Sequence, residues 1–247
     1  MAERFFRQTS APRIVQKLVT KAVLEHNLIE DGDRILIAVS GGKDSSVLAW
    51  ALSSIRQAVK KRYELFALHI SSDFCSCCKK TELARNLESW GIPFDDLFVP
   101  VIGRLKPGEK MNCYWCSTQR RAELLAYAVQ KNCTKIALGH HLDDILETWF
   151  MNITAAGKLS GMPVRLAYRK YPVTLIRPLA CLEERQVIAC ADAVGLLKAA
   201  CTCPYGRNSQ RMSIRKRVAA LTDGSGAVKR RIYQALTQTN VRNIVEV

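Results

Sequence analysis

A loop of residue types suited to binding phosphate lies near the start of the chain. Residues 40–45 read Ser-Gly-Gly-Lys-Asp-Ser, between an apolar, β-branched run at 35–39 and a segment with helix character at 46–52. Glycines let the backbone approach an anion, the N–H groups at a helix start point at it, and lysine adds a compact positive charge. GxxxxGK[ST] and GxGxxG patterns are absent, which argues against P-loop NTPases and dinucleotide enzymes. The predicted nucleotide-binding residues of the loop are Ser40, Gly41, Gly42, Lys43, Asp44 and Ser45.

A second polar segment, Gly-His-His-Leu-Asp-Asp at residues 139–144, opens a helix after a later strand. Magnesium bound to a triphosphate is usually held by one or two carboxylates together with phosphate oxygens, and Asp143 and Asp144 supply such ligands. Helix capping is the alternative role for either aspartate alone. His140 and His141 are equally compatible with packing or capping. The predicted catalytic residues are Lys43, Asp44, Asp143 and Asp144, and Gly139 and His140 are predicted to contact the nucleotide.

The cysteines include two separated groups with metal-ligand spacing. Cys113 and Cys116 form a CxxC pair before an apparent helix, and Cys201 and Cys203 lie far along the chain before a basic helical run. Such thiolates hold zinc or iron–sulfur clusters, and the spacing leaves both open. Ten cysteines without an export signal favour metal or redox chemistry over disulfides, because the cytosol keeps thiols reduced. The cysteines expected to pack in the core are Cys133, Cys181 and Cys190.

Apolar runs of strand length alternate along the chain with segments of helical periodicity. Strands are predicted at 35–39, 65–70, 94–99, 135–138 and 173–176, and helices at 14–27, 46–52, 79–90, 117–131, 141–154 and 183–194. This alternation predicts an α/β fold with a five-stranded parallel sheet covered by helices on both faces. In such sheets, sites form at the carboxyl ends of the strands. The polar segments 40–45, 71–78 and 139–144 are therefore expected to meet in one cleft.

Composition and charge indicate the class of protein and the kind of partner. The chain has 247 residues, 48% of them hydrophobic, which suits one sizeable domain. No apolar stretch approaches the roughly 20 residues that cross a bilayer, so we expect a cytoplasmic protein without a membrane partner. The net charge of +15 is concentrated in residues 1–21 and 201–247, where phosphate-rich partners are expected to bind; a merely soluble basic surface is the alternative. The candidate residues for nucleic acid contact are Arg207, Arg211, Arg215, Lys216, Arg217, Lys229, Arg230 and Arg231.

Residues 40–45 resemble the PP-loop of ATP pyrophosphatases, and further motifs resemble the tRNA 2-thiocytidine synthetase (TtcA) family. These motifs are Pro-Gly-Glu-Lys at 107–110 before the CxxC pair, Arg120-Arg121, the segment 136–148 around Gly-His-His-Leu-Asp-Asp, Gly-Lys-Leu at 157–159 with Gly-Met-Pro at 161–163, and Ile-Arg-Pro-Leu at 176–179. The resemblance implies an adenine nucleotide α-hydrolase-like fold. We expect an N-terminal helical extension at 1–30, a PP-loop ATP-binding domain at 31–200 and a basic C-terminal helical segment at 201–247.

The resemblance also implies an ATP-dependent enzyme that thiolates tRNA. ATP is expected to adenylate the C2 oxygen of a cytidine in the anticodon loop, and sulfur then replaces the adenylate to give 2-thiocytidine. The implied cofactors are ATP, Mg²⁺ and a [4Fe-4S] cluster, and the implied cluster ligands are Cys113, Cys116 and Cys203. The implied partners are tRNA and a sulfur donor such as a cysteine desulfurase. The oligomeric state stays open, with a homodimer as one option.

Two features depart from the family pattern. Cys201-Thr202-Cys203 stands where the family usually has CxxC, so Cys201 is an alternative or additional ligand. The cysteines at 75, 77 and 78 match no motif of the family. They could relay sulfur, bind a metal or be buried as inert thiols. One alternative function is a PP-loop sulfurtransferase or amidating enzyme for another nucleoside or small molecule. Another is a non-catalytic nucleotide-binding module stabilised by zinc.

Overall fold

A six-stranded sheet forms the middle layer of the protein. The computed structural model describes residues 2–74, 80–196 and 210–238. The strands are β1 (Asp33–Ala38), β2 (Tyr63–Ser72), β3 (Phe94–Val99), β4 (Lys135–Ala137), β5 (Arg165–Ala167) and β6 (Thr174–Ile176). They lie in the order β3-β2-β1-β4-β6-β5. The five predicted strands are confirmed and pair in parallel.

A sixth strand, β5, corrects the predicted count of five. It pairs antiparallel with β6 at the edge of the sheet, where Leu166 lies opposite Leu175. Only Leu166 is half-buried, and the residues on either side of it are exposed. Three residues with one inward side chain give no continuous apolar run, so hydrophobic periodicity does not reveal this strand.

Helices cover both faces of the sheet, as predicted. They are α1 (Ala2–Glu25), α2 (Lys43–Ser54), α3 (Arg56–Val59), α4 (Lys80–Ser89), α5 (Cys113–Gln130), α6 (Leu142–Ala156), α7 (Glu184–Val194), α8 (Gln210–Thr222) and α9 (Gly226–Gln238). In the part of the chain that the structure describes, no helix has the length and apolar character needed to cross a membrane.

Helix α5 begins four residues before its predicted start at 117. Its N-cap is Asn112, whose side-chain oxygen accepts a hydrogen bond of 2.8 Å from the backbone N–H of Trp115. This cap satisfies an N–H group that has no partner inside the helix. The prediction that the CxxC pair precedes the helix is therefore wrong, because Cys113 and Cys116 lie in its first turn.

Strand β1 shows how the sequence builds two apolar layers. Ile35, Leu36 and Ile37 are all fully buried, and successive side chains of a strand point to opposite faces. Ile35 and Ile37 pack in a core that includes Val15 of α1 and Val187 of α7. Leu36 packs in a second core with side chains of α5. The short apolar run therefore lies between two helical layers, which is why it carries no polar residue.

The two C-terminal helices pack on α6. Leu142 and Leu146 of α6 form a small buried cluster with Ile214 and Val218 of α8, and Leu236 of α9 packs against its edge. Helix α6 follows the loop after β4, so this cluster places the basic helices beside the carboxyl edge of the sheet.

The strand order places a switch point between β1 and β4. From β1 the chain moves to β2 and β3 on one side, whereas β4 lies on the other side of β1 and leads to β6 and β5. Crevices at the carboxyl ends of parallel strands form where the order reverses in this way. The loops that follow β1 and β4 flank that crevice.

Candidate functional site

The loop at residues 40–45, hereafter the phosphate loop, is held by its own hydroxyl groups. Ser45 Oγ accepts from the Ser40 backbone N–H at 3.1 Å and donates to the Gly42 carbonyl at 3.0 Å. Ser40 Oγ accepts from the Gly42 N–H at 3.3 Å. Gly41 has φ of 79°, a conformation that side chains with a Cβ rarely adopt. The loop leads directly into the N-terminus of α2 at Lys43, where backbone N–H groups and the helix dipole favour an anion.

The loop after β4 lies directly against the phosphate loop. A Cβ atom added at Gly139 would stand 3.1 Å from the backbone carbon and oxygen of Asp44 and from the Ser45 nitrogen. This spacing is tighter than ordinary contacts, so glycine is needed for the two loops to meet. Two of the three polar segments expected to converge therefore do so.

The third polar segment, 71–78, contributes differently over its described part. Ser71 and Ser72 still belong to β2. Asp73 accepts hydrogen bonds from the backbone N–H groups of Ile102 and Gly103 at 3.1 and 2.9 Å. The described residues from this part of the chain that line the cleft are Leu68 and Ile70, which lie within β2. The cysteines at 75, 77 and 78 lie outside the described residues.

A cleft of about 420 Å³ opens at this edge of the sheet. Its polar lining comes from the phosphate loop, from the loop after β4 and from one face of α5, and its remaining lining is largely apolar. The polar and charged residues are Ser40, Asp44, Ser45, His140, Asp144, Ser117, Arg120 and Arg121, and the apolar ones include Leu68, Ile70, Leu124, Leu138 and Leu175. The volume lies within the range of small-ligand sites, roughly 300–1,000 Å³.

Asp144 lies in this cleft and also caps α6. Its side chain accepts from the His141 backbone N–H at 3.2 Å, and His141 Nδ1 accepts from the Asp144 backbone N–H at 3.4 Å. This reciprocal capping box fixes the start of the helix. Arg211 of α8 approaches the other carboxylate oxygen of Asp144 at 3.9 Å. Capping, the alternative considered for these residues, is confirmed for His141 and Asp144.

Asp143 is occupied by contacts within the protein. Its Oδ1 accepts from Lys229 Nζ of α9 at 2.6 Å, and its Oδ2 accepts from the backbone N–H of Glu184 at 2.7 Å. Burial opposes ionisation of Asp143, but these two hydrogen bonds outweigh it and hold its pKa below the usual value. Asp143 therefore connects α6, α7 and α9.

Two glutamates that the sequence does not single out extend this charge network. Glu184 Oε1 lies 3.1 Å from Lys43 Nζ, and its Oε2 lies 3.6 Å from Arg215. Glu147 Oε1 accepts from Arg215 Nε at 2.6 Å, and burial raises the pKa of Glu147 despite this partner. A helical spacing of one turn from Asp143 to Glu147 could have indicated a shared face.

Four cations of the basic C-terminal helices form ion pairs within the protein. Arg211, Arg215, Lys229 and Arg230 form ion pairs with Asp144, Glu147, Asp143 and Glu183 respectively. By contrast, Lys216, Arg217 and Arg231 are exposed and form no ion pair with any described residue. Arg207 lies outside the described residues. Arg215 and Arg230 are exposed as well, so all five stay candidates for nucleic acid contact, and three of the five form no ion pair with a described residue.

The CxxC pair stands at the start of the helix that lines the cleft. Ser117 and Arg120 follow Cys113 and Cys116 by four residues each, and residues so spaced lie on one helix face. Cys113 is exposed and Cys116 is half-buried against the second core. Trp115 donates from Nε1 to the Val101 carbonyl at 2.9 Å, which fixes its indole in the same core.

The other cysteines of the described ranges pack in the interior. Cys133 and Cys190 are buried, which confirms the expectation for them, and Cys181 is half-buried. Burial raises the pKa of the Cys190 thiol to about 12. Cys201 and Cys203 lie outside the described residues. Within residues 2–74, 80–196 and 210–238, no group of three or more histidine, cysteine or carboxylate side chains has the arrangement of a metal site.

His140 lines the cleft as a neutral imidazole. Its Nδ1 accepts a hydrogen bond of 3.3 Å from Nε of the buried Arg177. An accepting Nδ1 leaves the proton on Nε2. Burial, reinforced by the Arg177 charge, lowers the pKa of His140 to about 4. In the sequence, Arg177 stands in the Ile-Arg-Pro-Leu motif directly after a buried strand, but no role was predicted for it.

We expect His140 to sensitise the protein to acid. Its folded pKa lies below the ordinary value of 6.5, so the unfolded chain binds the proton first. Stability contributed by neutral His140 is present above about pH 6.5 and is lost as the pH falls towards 4. When the pH is lowered from 7 to 5, the free energy of unfolding measured in urea should decrease in both proteins. The decrease should be about 1–2 kcal/mol smaller in His140→Gln than in the parent. The exposed His26→Gln is the matched control; equal pH profiles for all three proteins would contradict this assignment.

Comparison with known proteins places these features in context. A family model described as a PP-loop domain matches residues 10–221. The tRNA-cytidine(32) 2-sulfurtransferase of Syntrophotalea carbinolica is 34% identical, over 99% of this chain and 93% of that protein. The protein of the same name from Geobacter metallireducens is 33% identical, over 95% of this chain and 93% of its own.

Two solved structures share the fold. The U34-tRNA thiolase NcsA from Methanococcus maripaludis, solved with its [4Fe-4S] cluster, matches with a TM-score of 0.78 and 22% identity over 94% of this chain and 79% of that one. The NMN synthetase of Francisella tularensis matches with a TM-score of 0.55 and 15% identity over 97% of both chains. The adenine nucleotide α-hydrolase-like arrangement expected for this chain is therefore confirmed.

Proposed function

Since this chain belongs to the PP-loop family of tRNA-cytidine(32) 2-sulfurtransferases, we propose that it catalyses ATP-dependent thiolation of cytidine 32 in tRNA. The observation that carries the proposal is a single cleft lined both by the phosphate loop and by the face of α5 that begins at the CxxC pair. The names of the relatives support the substrate and its position. A tRNA substrate in turn favours a cytoplasmic location.

The proposed reaction has two displacements. The C2 oxygen of the cytidine attacks the α-phosphorus of ATP, and the bond from that phosphorus to the β-phosphate oxygen breaks to release pyrophosphate. A sulfur nucleophile at the oxidation level of hydrosulfide then attacks C2, and the C2–O bond breaks to release AMP. Cytidine, ATP and hydrosulfide give 2-thiocytidine, AMP and pyrophosphate, so no external oxidant or reductant is required. A cysteine desulfurase is the proposed class of sulfur donor; its persulfide reacts with a second thiol to release hydrosulfide, and the two thiol sulfurs are left as a disulfide.

The activating half of the site binds and orients ATP. The N–H groups at the start of α2 and the Lys43 ammonium suit the β- and γ-phosphates, which leave as pyrophosphate. For Mg²⁺, Asp44 and Asp144 both line the cleft, and the enclosed Asp44 Oδ1 lies 3.1 Å from Lys43 Nζ. Carboxylate oxygens are the ligands that this hard cation prefers. We therefore assign Mg²⁺ to Asp44 and Asp144, and assign Asp143 to positioning α6 against α7 and α9.

The residues of α5 fit a [4Fe-4S] cluster by their chemistry. Cys113 and Cys116 present two thiols one helical turn apart, and thiolates are the usual ligands of such clusters. Cys203 is the proposed third ligand. The cluster reported for the structural relative NcsA supports this choice over zinc. When bound through three thiolates, the cluster supplies an iron position that can carry sulfide.

The test is thiolation by anaerobically purified protein. We expect about four irons per chain and ATP-dependent formation of 2-thiocytidine at position 32 of unmodified tRNA, read by mass spectrometry. Cys113→Ser and Cys116→Ser should each lose most of the iron and nearly all of the product, because a serine hydroxyl does not replace a thiolate ligand. Cys181→Ser is the matched control, since this half-buried cysteine lies in neither ligand group.

Three outcomes would overturn parts of the proposal. Colourless protein with one zinc per chain would contradict the proposed cluster. Full thiolation by Cys113→Ser would contradict the assignment of Cys113 as a ligand. Unchanged 2-thiocytidine in tRNA from a strain that lacks this protein removes the substrate, and favours another nucleoside or a small molecule.

A further inference from the structure

Arg177 is a buried cation without a carboxylate partner. It directly follows β6 and is only 7% exposed. Among the described residues, the only other buried cation is Lys135, which lies 2.9 Å from Glu30 and 3.7 Å from Asp33. No described carboxylate lies within ion-pair distance of Arg177. A buried charge is normally paired, because removing it from water is costly.

The contacts of Arg177 fix its guanidinium but do not neutralise it. Nε donates to His140 Nδ1 at 3.3 Å, and Nη1 donates to the Pro163 carbonyl. Both acceptors are uncharged. The second terminal nitrogen, Nη2, donates to no described residue, and it is not among the polar atoms that are sealed from solvent. A rigid guanidinium with an accessible nitrogen is well suited to binding an oxyanion.

Arg177 lies at the same sheet edge as the cleft. His140, its direct partner, lines the cleft, as do Leu175 of β6 and Tyr168, which directly follows β5. Arg121 of α5 also lines the cleft and is exposed. Burial, and to a smaller extent the charge of Arg121, lowers the pKa of Arg177 to about 10. The two arginines therefore share a region of positive potential.

This potential is separate from the phosphate loop. Lys43, the cation of that loop, is already paired with Asp44 and Glu184. Arg121 forms no ion pair with a described residue, and its neighbour Arg120 donates to the Ile70 carbonyl at 3.5 Å. The folded protein thus keeps Arg121 on the cleft lining, and Arg177 beside the lining residue His140, without a described carboxylate partner.

We propose that Arg177 and Arg121 form a second phosphate-binding subsite in the cleft, distinct from the phosphate loop. Its ligand is a phosphate group, supplied either by the nucleotide or by the backbone of an RNA substrate. The subsite follows from the charges and contacts of this chain, independently of the thiolation reaction. The His140–Arg177 hydrogen bond acts in the same subsite, because it leaves the His140 Nε2–H to donate beside the guanidinium.

The first test uses stability and inorganic phosphate. Arg177→Met keeps the length of the side chain but removes the charge, so without ligand its Tm should equal or exceed that of the parent. Lys135→Met is the matched control and should lower the Tm, because it leaves the buried Asp33 carboxylate without its cation. In a Lys43→Met background, which weakens the phosphate loop, Arg177→Met should weaken inorganic phosphate binding about tenfold or more.

The second test separates the two sources of phosphate. Arg121→Gln changes an exposed residue and is expected to fold, and it should weaken inorganic phosphate binding in the same background. Arg121→Gln and Arg177→Met are then titrated with ATP and with unmodified tRNA. Weaker binding of ATP alone identifies the nucleotide as the source, and weaker binding of tRNA alone identifies the RNA.

A structural role for Arg177 predicts the opposite pattern. It predicts that Arg177→Met lowers the Tm as Lys135→Met does, and that both arginine variants bind inorganic phosphate, ATP and tRNA like their parents. Unchanged binding of all three ligands by Arg121→Gln would overturn the proposal, even if Arg177→Met fails to fold.

Discussion

Replacing Lys43 with methionine is expected to lower kcat/KM for ATP by a factor of about 10²–10³. The Lys43 ammonium lies 3.1 Å from carboxylate oxygens of both Asp44 and Glu184. Burial disfavours its charge, but these two carboxylates outweigh burial and raise the pKa of Lys43, so it is cationic at neutral pH. Methionine removes the charge and leaves two carboxylates that repel the triphosphate. The loss therefore exceeds that of a single favourable contact.

The measurement is tRNA-dependent release of AMP at several ATP concentrations. Lys61→Met is the matched control, because Lys61 is exposed and lies outside the phosphate loop. Thermal unfolding should place the Tm of Lys43→Met within a few degrees of the parent, since the substitution is on a half-buried side chain. A decrease in kcat/KM of less than tenfold in a well-folded Lys43→Met would show that Lys43 does not carry this role.

Replacing Lys229 with methionine is expected to destabilise the fold by about 2–4 kcal/mol. The Nζ atom donates to Asp143 Oδ1 at 2.6 Å, and both side chains are largely buried, with 14% and 13% exposed. Removing Lys229 leaves the Asp143 carboxylate with the Glu184 N–H as its hydrogen-bond donor and with the His141 ring 3.8 Å away. We expect the pKa of Asp143 to rise in this variant, because burial is then less well opposed.

Urea unfolding of a double-mutant cycle measures this pair. Adding Asp143→Asn to Lys229→Met should recover part of the lost stability, because no unpaired charge remains. Arg231→Met is the matched control on the same helix, since Arg231 is exposed and forms no ion pair with a described residue. The ion pair contributes little to stability if Lys229→Met lowers the free energy of unfolding no more than Arg231→Met does. The same conclusion follows if the effects of Lys229→Met and Asp143→Asn on that free energy are additive.

The sequence predicted the parts of the fold and site that depend on local patterns. The five parallel strands follow from apolar runs such as 35–39, because buried parallel strands need apolar side chains on both faces. The closeness of residues 40–45 and 139–144 follows from a general property of parallel sheets, whose strand ends meet at one edge. The glycine at 139 marks that contact.

Other features depend on contacts between distant residues, which local patterns do not contain. Asp143 meets Lys229, 86 residues away, only because α9 packs beside α6. A carboxylate at a helix start is therefore consistent in sequence with a magnesium ligand, a cap or an ion pair. The same holds for Arg177, because the sequence around a charged residue after a strand does not show whether a carboxylate from another element will pair with it. The structure answers that question through burial and the absence of described acidic partners.

The contact between Gly139 and the phosphate loop also has a consequence for the order of folding. The two sides of this contact come from strands about one hundred residues apart, since β4 pairs with β1 through Ile35 and Lys135. Closing so long a stretch of chain is entropically costly, so native β1–β4 pairing is expected to form after local structure. During synthesis, the N-terminal strand and its glycine-rich loop leave the ribosome well before their partner. Nucleotide binding is therefore expected to report completed folding of the sheet rather than the presence of the phosphate loop alone.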